Sequence, residues 1–213
     1  ARDQVIVPLG NAMLMLRDYQ GILDTIDAVG LGGSQCYEVL VIRARALLEL
    51  GRLDEAEKGF DDAIAVEPRS MEAFLGKSQV YSVREDWPKA EELIDAARDR
   101  APDSAELWYE KGQLRRNQND AEGALAAYER ALQLNGAHVR AHKARAALYV
   151  ELGQYDKALP DAEYAHTKVP KDPDAALTYG LVLMGLGRED ESKEAIRAAF
   201  EQVKLIKDDV LMQ

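Results

Sequence analysis

His138 and His142 sit four residues apart, the spacing at which two imidazoles on one helix can share a metal ion. The sequence aims no acidic or cysteine ligand at them, and one pair falls short of the ligand count of a zinc site, so no metal and no cofactor are expected. His166 reads as structural. Gly30, Leu31, Gly32 and Gly33 imitate a phosphate loop, but they follow helical periodicity rather than a strand and lack the lysine and spacing of either nucleotide motif. They read as a turn. Trp87 and Trp108 offer stacking faces for bases or sugars, yet Trp108 recurs at a packing position and Trp87 stands beside a turn before Pro88, so both read as packing aromatics. No Ser-His-Asp set, metal triad or opposed carboxylate pair can be assembled, and catalysis is not expected.

The bulk properties narrow the field. The chain has 213 residues, 47% of them apolar, with 27 Lys plus Arg against 38 Asp plus Glu and a net charge of -11. Such a field repels a nucleic-acid backbone unless a basic stripe overrides it, and none is present, so no nucleic-acid partner is expected. No apolar run approaches the roughly 18 residues of a membrane span, so no transmembrane segment and a soluble chain are expected. Cys36, the only cysteine, excludes an internal disulfide and a thiolate metal cluster and fits either redox compartment. The opening Ala1, without a signal-peptide profile, reads as the start of a piece excised from something longer.

The elements that must position any site are repeats. A period of thirty-four residues runs without insertion through 3–36, 37–70, 71–104, 105–138, 139–172 and 173–206. Within a unit, position 8 carries Gly10, Ala44, Ser78, Gly112, Ala146 and Gly180, and position 20 carries Ile22, Ala56, Ala90, Ala124, Ala158 and Ser192. Position 27 is Val29 and then five alanines, while position 24 is bulkier, with Ile26, Phe60, Ile94, Tyr128, Ala162 and Ile196. Small residues at a crossing let two helices approach to the short end of about 8–10 Å, and larger neighbours fill the grooves beside them.

Punctuation agrees with helix pairs. Gly51, Asn119, Gly153 and Gly187 hold position 15, where a left-handed residue closes the first helix; Arg17 and Glu85 depart from that preference. Asp18, Asp54, Asp86, Asp120, Asp156 and Asp190 stand at the start of each second helix as caps or dipole partners, and Pro88 joins them there. Pro68, Pro102 and Pro170 end second helices at position 32. In the first unit Pro8 falls inside a helix and Ile22 and Val29 replace small residues, which predicts a splayed pair. In the last, Lys204 replaces proline, which predicts a second helix running on through Val203, Ile206 and Val210 into a helical extension at 207–213.

The small residues at 8, 20 and 27, the aromatic or aliphatic ones at 4 and 24, and proline at 32 together resemble the tetratricopeptide repeat, over 3–206. The resemblance implies an all-α fold, a right-handed α-solenoid of six TPR helix-turn-helix repeats, holding a protein or peptide in a concave groove lined by positions 2, 5, 9 and 12 of the first helices. Asn11, Arg45, Gln79 and Gln113 then form an amide-and-guanidinium ladder at position 9, ending in Ala147 and Leu181. Position 5 contributes Val7, Val41, Leu75, Tyr109, Lys143 and Leu177, a surface suited to an extended backbone with apolar side chains. Arg45, Arg116, Arg140 and Lys143 are the groove cations that would attract an acidic ligand. One TPR subclass grips the terminal carboxylate of chaperone tails with a basic and asparagine clamp. Here Val7 accompanies Asn11, Glu38 accompanies Arg45, and lysine reaches position 5 only at Lys143, which disfavours that role.

The opening PLGNAMLMLRDYQGILDTID, followed by Ala-rich units, is similar to long bacterial TPR lipoproteins linked to exopolysaccharide production and PEP-CTERM sorting. That similarity implies a periplasmic or outer-membrane lipoprotein organising an envelope complex, with polysaccharide as a further partner. The other readings are a cytoplasmic adaptor and a regulatory appendage of a larger enzyme.

Overall fold

A left-handed residue at the same place in each repeat turns the first helix back. Arg17 (φ 59°), Gly51 (74°), Glu85 (59°), Asn119 (62°), Gly153 (68°) and Gly187 (74°) all lie there, so Arg17 and Glu85 adopt the backbone that their side chains disfavour. The reward is a repeated cap: the next residue's N–H reaches back to a carbonyl of the finished helix, as Asp18 to Met13, Arg52 to Leu47 and Gln154 to Tyr149, at 2.8–3.0 Å. In the computed structural model, which describes residues 3–99 and 104–211 with backbone alone at 3, 4, 198 and 202–211, these turns join helices in pairs. The first helices are α1 (Asp3–Met15), α3 (Tyr37–Glu49), α5 (Met71–Val83), α7 (Ala105–Asn117), α9 (Val139–Glu151) and α11 (Pro173–Gly185). Their partners are α2 (Tyr19–Ala28), α4 (Leu53–Val66), α6 (Trp87–Arg98), α8 (Ala121–Leu134), α10 (Tyr155–Lys168) and α12 (Glu189–Leu211).

Every described element is helical, each hairpin starting thirty-four residues after the last. The aspartates divide the work of starting the second helices. Asp18 and Asp120 accept the backbone N–H of Gly21 (3.0 Å) and Gly123 (2.9 Å), whereas Asp54, Asp156 and Asp190 lie in the first turn beside the positive end of the dipole. Asp86 makes no side-chain cap bond and pairs with Lys89 at 2.8 Å instead.

At the ends the expectations hold in part. The first pair is loose: α1 meets α2 less extensively than it meets α3, and far less than α3, α5, α9 and α11 meet their own partners, in line with the irregular residues of this repeat. α1 nonetheless runs unbroken through Pro8, which is exposed while Ile6 is buried. Pro160 is likewise part of a continuous helix, α10. α12 continues to Leu211, and the side chains of Val203, Lys204, Ile206 and Val210 lie outside the described ones, as does Pro102.

The chain forms two compact units, Ala1–Glu110 and Lys111–Gln213. In the first, each helix packs on the next, and first helices also pack on first helices, α1 on α3 and α3 on α5. The second repeats this pattern, with α9 on α11. First helices thus make one layer of each unit and second helices the other. The crossings are the alanines: Ala56, Ala63, Ala90 and Ala97 in the first unit and Ala124, Ala131 and Ala158 in the second are fully buried. Gly10 leaves room for Ile42 of α3, whose Cγ2 would lie 2.9 Å from an added Cβ, and Ile22 on α2 is fully enclosed despite its bulk.

Gly76 makes the sharpest case for close approach, since a Cβ there would stand 2.2 Å from Cε1 of the fully buried Phe60 ring. In an exposed helix Gly→Ala stabilises by about 1 kcal/mol. Here the overpacked ring reverses the sign, so Gly76→Ala is expected to destabilise by about 1–3 kcal/mol in urea unfolding; a stabilised variant would contradict the crossing.

Candidate functional site

In each unit the first helices carry the ladder residues, and most of these are already engaged within their own unit. In the first unit Asn11 is exposed on α1, Arg45 on α3 pairs with Glu72 on α5 at 3.0 Å, and Gln79 donates to Oε2 of Glu110 at 2.8 Å. Glu110 is itself buried. Val41, Leu75 and Tyr109 at position 5 are also buried, so little of these side chains meets solvent between the polar rows. In the second unit the carbonyl oxygen of Gln113 accepts the Tyr128 hydroxyl, Arg116 pairs with Glu151, and Lys143 pairs with Asp172. Asp172 also caps α11, accepting the N–H of Asp174 at 3.0 Å, so Lys143 steadies a helix start. Arg140 is exposed in the first turn of α9.

The groove cations are therefore mostly matched by carboxylates that sequence reasoning passed over. A signal exists for one of them: Glu72 belongs to a position 2 row that reads Glu38, Glu72 and Glu106 in three successive repeats, one turn from the position 5 row, whereas Glu151 and Asp172 lie outside it. The ladder's apolar end is different in kind. Leu177, Leu181 and Met184 form one exposed row on α11, at 42%, 38% and 51%.

The histidines resolve into structural roles. His138 caps α9 through Nδ1, which accepts the Ala141 N–H at 3.1 Å. His142 does have an acid aimed at it, contrary to the sequence reading: Asp161 on α10 lies 2.6 Å from its Nδ1, and the Gly136 carbonyl lies 3.0 Å from Nε2. Arg145 donates to the same carboxylate through Nε (2.6 Å) and a terminal nitrogen (3.0 Å), and Asp161 is buried. Arg145 belongs to a second recurrence, basic residues Arg43, Lys77, Lys111 and Arg145 at position 7. Lys77 likewise meets Asp61 at 2.6 Å. His166 stacks on Tyr179 at 5.1 Å between centroids. Among the described residues no group of three His, Cys, Asp or Glu is placed to hold a metal.

The remaining candidates are local structure. Gly30 (φ 73°) turns the chain after α2, and the Gly32 carbonyl accepts from Arg43 at 2.5 Å, which ties the glycine loop to α3. The Cys36 thiol donates to Glu38 at 3.1 Å; burial and then that bond push its pKa up, away from the reactive thiolate. Trp87 and Trp108 are half-buried. No helix of the described residues is long and apolar enough to cross a membrane.

Hairpins of this period, closure and packing match known sequences. One tetratricopeptide-repeat family model matches residues 43–105 and 79–138, and another matches 149–204. The chain belongs to the tetratricopeptide repeat family. Human protein O-mannosyl-transferase TMTC1 is 29% identical over 174 residues, covering 79% of this chain and 20% of that protein. The chain spans about a fifth of the length of the curated relatives that it matches first. Among solved structures, TTC0263, a thermophilic TPR protein in Thermus thermophilus, aligns with a TM-score of 0.75 at 24% identity, over 85% of this chain and 99% of that one. YrrB, described as a TPR protein with an unusual peptide-binding site, aligns with a TM-score of 0.54 at 18% identity, over 90% and 97%.

One charged cluster of this TPR chain ties a phenol to a carboxylate. Tyr81 donates to Glu57, which also pairs with Arg84, and the cations of Lys89 and Arg84 stand 4.9 and 5.6 Å from the Tyr81 ring. The bond to Glu57, then burial, raises the Tyr81 pKa from 10.0 to about 12. The bonds from Tyr81 and Arg84 lower that of Glu57. A raised folded-state pKa means stability that is whole below 10.0 and lost as pH rises toward about 12, so the urea midpoints of wild type and Tyr81→Phe should converge across that window. An unchanging gap would show that the phenol proton is not held. The buried triad has a larger stake. Asp161→Ala strands Arg145 and His142 and is expected to cost about 3–5 kcal/mol in urea unfolding, where a loss under about 1 kcal/mol would rank the contact with exposed ion pairs.

Proposed function

We propose that this TPR chain is a non-catalytic scaffold that holds a protein or peptide partner against its first helices. The carrying observation is the exposed row Leu177, Leu181 and Met184 on α11, three aliphatic side chains one helical turn apart on a first helix of the unit that also bears Gln113 and Lys143. Exposed aliphatics aligned on a rigid helix gain free energy when an incoming apolar side chain covers them. In the second unit Gln113 supplies an amide for a peptide backbone and Arg116, Arg140 and Lys143 line the polar remainder; in the first unit Asn11, Arg45 and Gln79 make the corresponding row. Because three of those cations already have acidic partners, an acidic ligand competes for them and the apolar row carries more of the affinity. The peptide-binding site named for YrrB, a protein of the same fold, supports this reading.

A second reading has its own support: the match to about a fifth of protein O-mannosyl-transferase TMTC1 makes a TPR appendage of a larger enzyme the alternative setting for the same binding role. The narrower setting, a lipoprotein of a bacterial envelope complex for exopolysaccharide or PEP-CTERM sorting, rests on the opening segment's resemblance.

Selection from a random peptide display library on the wild-type chain tests the scaffold. Enriched peptides should carry apolar anchors, and Leu181→Ser should weaken them on the order of tenfold while circular dichroism is unchanged, as expected for a truncated anchor. Arg45→Ala with Gln79→Ala and Gln113→Ala should weaken them less. Absence of enrichment, or peptides indifferent to Leu181→Ser, would overturn the assignment to this face.

A further inference from the structure

Hairpins of one chain can be compared position by position, because equivalent residues meet equivalent neighbours. In the fifth repeat position 7 is Arg145 and position 23 is Asp161, whose carboxylate takes two bonds from the guanidinium, at 2.6 and 3.0 Å, while His142 at position 4 meets it from the side. In the second repeat the same positions hold Arg43, Gly59 and Leu40. The arginine is kept and its acid is gone. Gly59 has no side chain and no room for one, since a Cβ there would stand 2.9 Å from that of Ala44.

Between Arg43 and Gly59 lies a hollow of about 310 Å³. Leu40 and Leu47, both buried, give it an apolar floor. Arg43 is half-buried and tethered, its Nη1 donating to the Gly32 carbonyl at 2.5 Å, and it forms no ion pair among the described residues, whereas Lys77 and Arg145 of the same row each meet an aspartate. On the rim, Glu55 is taken by Arg52 through two bonds of 2.7 Å, which leaves Arg43 and Lys58 facing Asp62, an excess of positive charge in a chain of net charge -11. Leu40, Arg43 and Leu47 share the side of α3 turned away from Val41 and Arg45, so the hollow is separate from the face that bears the ladder.

We propose that this hollow binds a small aliphatic carboxylic acid, with its carboxylate on Arg43 as that of Asp161 is on Arg145, and its hydrocarbon end over Leu40 and Leu47. A guanidinium offers a carboxylate two parallel bonds, and the tether to Gly32 orders the arginine before the ligand arrives. The volume stands at the small end of ligand pockets, about 300–1,000 Å³, which suits a short-chain acid.

Titration of the isotopically labelled 213-residue chain with isovalerate at fixed pH and ionic strength, followed by amide NMR, tests the site. The expected result is saturable shifts at the Gly32 and Gly59 amides and at the Arg43 side-chain N–H. Isovaleramide, which has the shape without the charge, and acetate, which has the charge without the hydrocarbon, should each bind on the order of tenfold more weakly. Arg43→Gln should weaken isovalerate on the order of tenfold with circular dichroism unchanged. Because Arg43 also ties the glycine loop to α3, Lys58→Glu at an exposed rim position is the second variant, expected to weaken binding without touching that tether. Shifts that fail to saturate, isovaleramide binding as well as isovalerate, or an affinity indifferent to Lys58→Glu or to a folded Arg43→Gln overturns the proposal.

Discussion

Two helices can lie flank to flank only where neither presents bulk at the crossing, and every other property of this chain depends on that restriction. Ala56, Ala63, Ala90 and Ala97, with Ala124, Ala131 and Ala158 in the second unit, are buried to the last atom, though each contributes little apolar area of its own. Their role is permissive: they bring backbones close, so that the large neighbours Phe60 and Tyr128 can be enclosed completely. Gly76 and Gly112 take the same logic further, since the rings of Phe60 and Tyr128 occupy the volume in which their Cβ atoms would stand. Core stability is thereby concentrated in a few enclosed rings, and the tolerance for added methyl groups is small.

That restriction is local, which is why the fold was legible. The closing turn and the cap of one hairpin lie within a single repeat, the crossings lie within a pair, as at Gly112 and Tyr128, or between adjacent pairs, as at Gly76 and Phe60, and recurrence of the pattern reinforces each copy. Even Arg17 and Glu85, which lack the side chain suited to a left-handed turn, adopt it, because the helices on either side leave no other closure. The site was legible only in part. Spacing placed Arg45, Gln79 and Lys143 on first helices, but their partners belong to the next hairpin: Gln79 meets Glu110 31 residues on, and Lys143 meets Asp172 29 residues on. Such pairs depend on the register between hairpins, which composition within one repeat does not encode. His142 escaped for the same reason in smaller measure, since Asp161 approaches it from the other helix of its own pair.

The partnered cations change the electrostatic reading of the whole chain. A net charge of -11 with three ladder cations already matched leaves little unopposed positive potential on the first helices. Exposed ion pairs of this kind add little stability, about 0–1 kcal/mol each. Their larger effect is on ligands, because an incoming carboxylate must displace a resident one before it gains anything. The exposed aliphatic row imposes no such exchange, whereas Gln79 and Gln113 are themselves bonded to Glu110 and Tyr128, so a partner that offers apolar anchors gains more here than one that offers charge.

The charged groups that do bear weight are those away from the ladder. Asp161 is enclosed by Arg145 and His142, and its cost of desolvation is met only while both remain. Lys143 meanwhile joins the cap of α11 to α9, and α11 carries the exposed aliphatic row. The pairing that removes Lys143 from ligand recognition thus holds the start of the helix on which Leu177, Leu181 and Met184 are displayed. An ion pair that withholds a cation from the ligand therefore steadies the helix that displays the apolar row, and rigidity of that helix lowers the entropy a partner must surrender on binding.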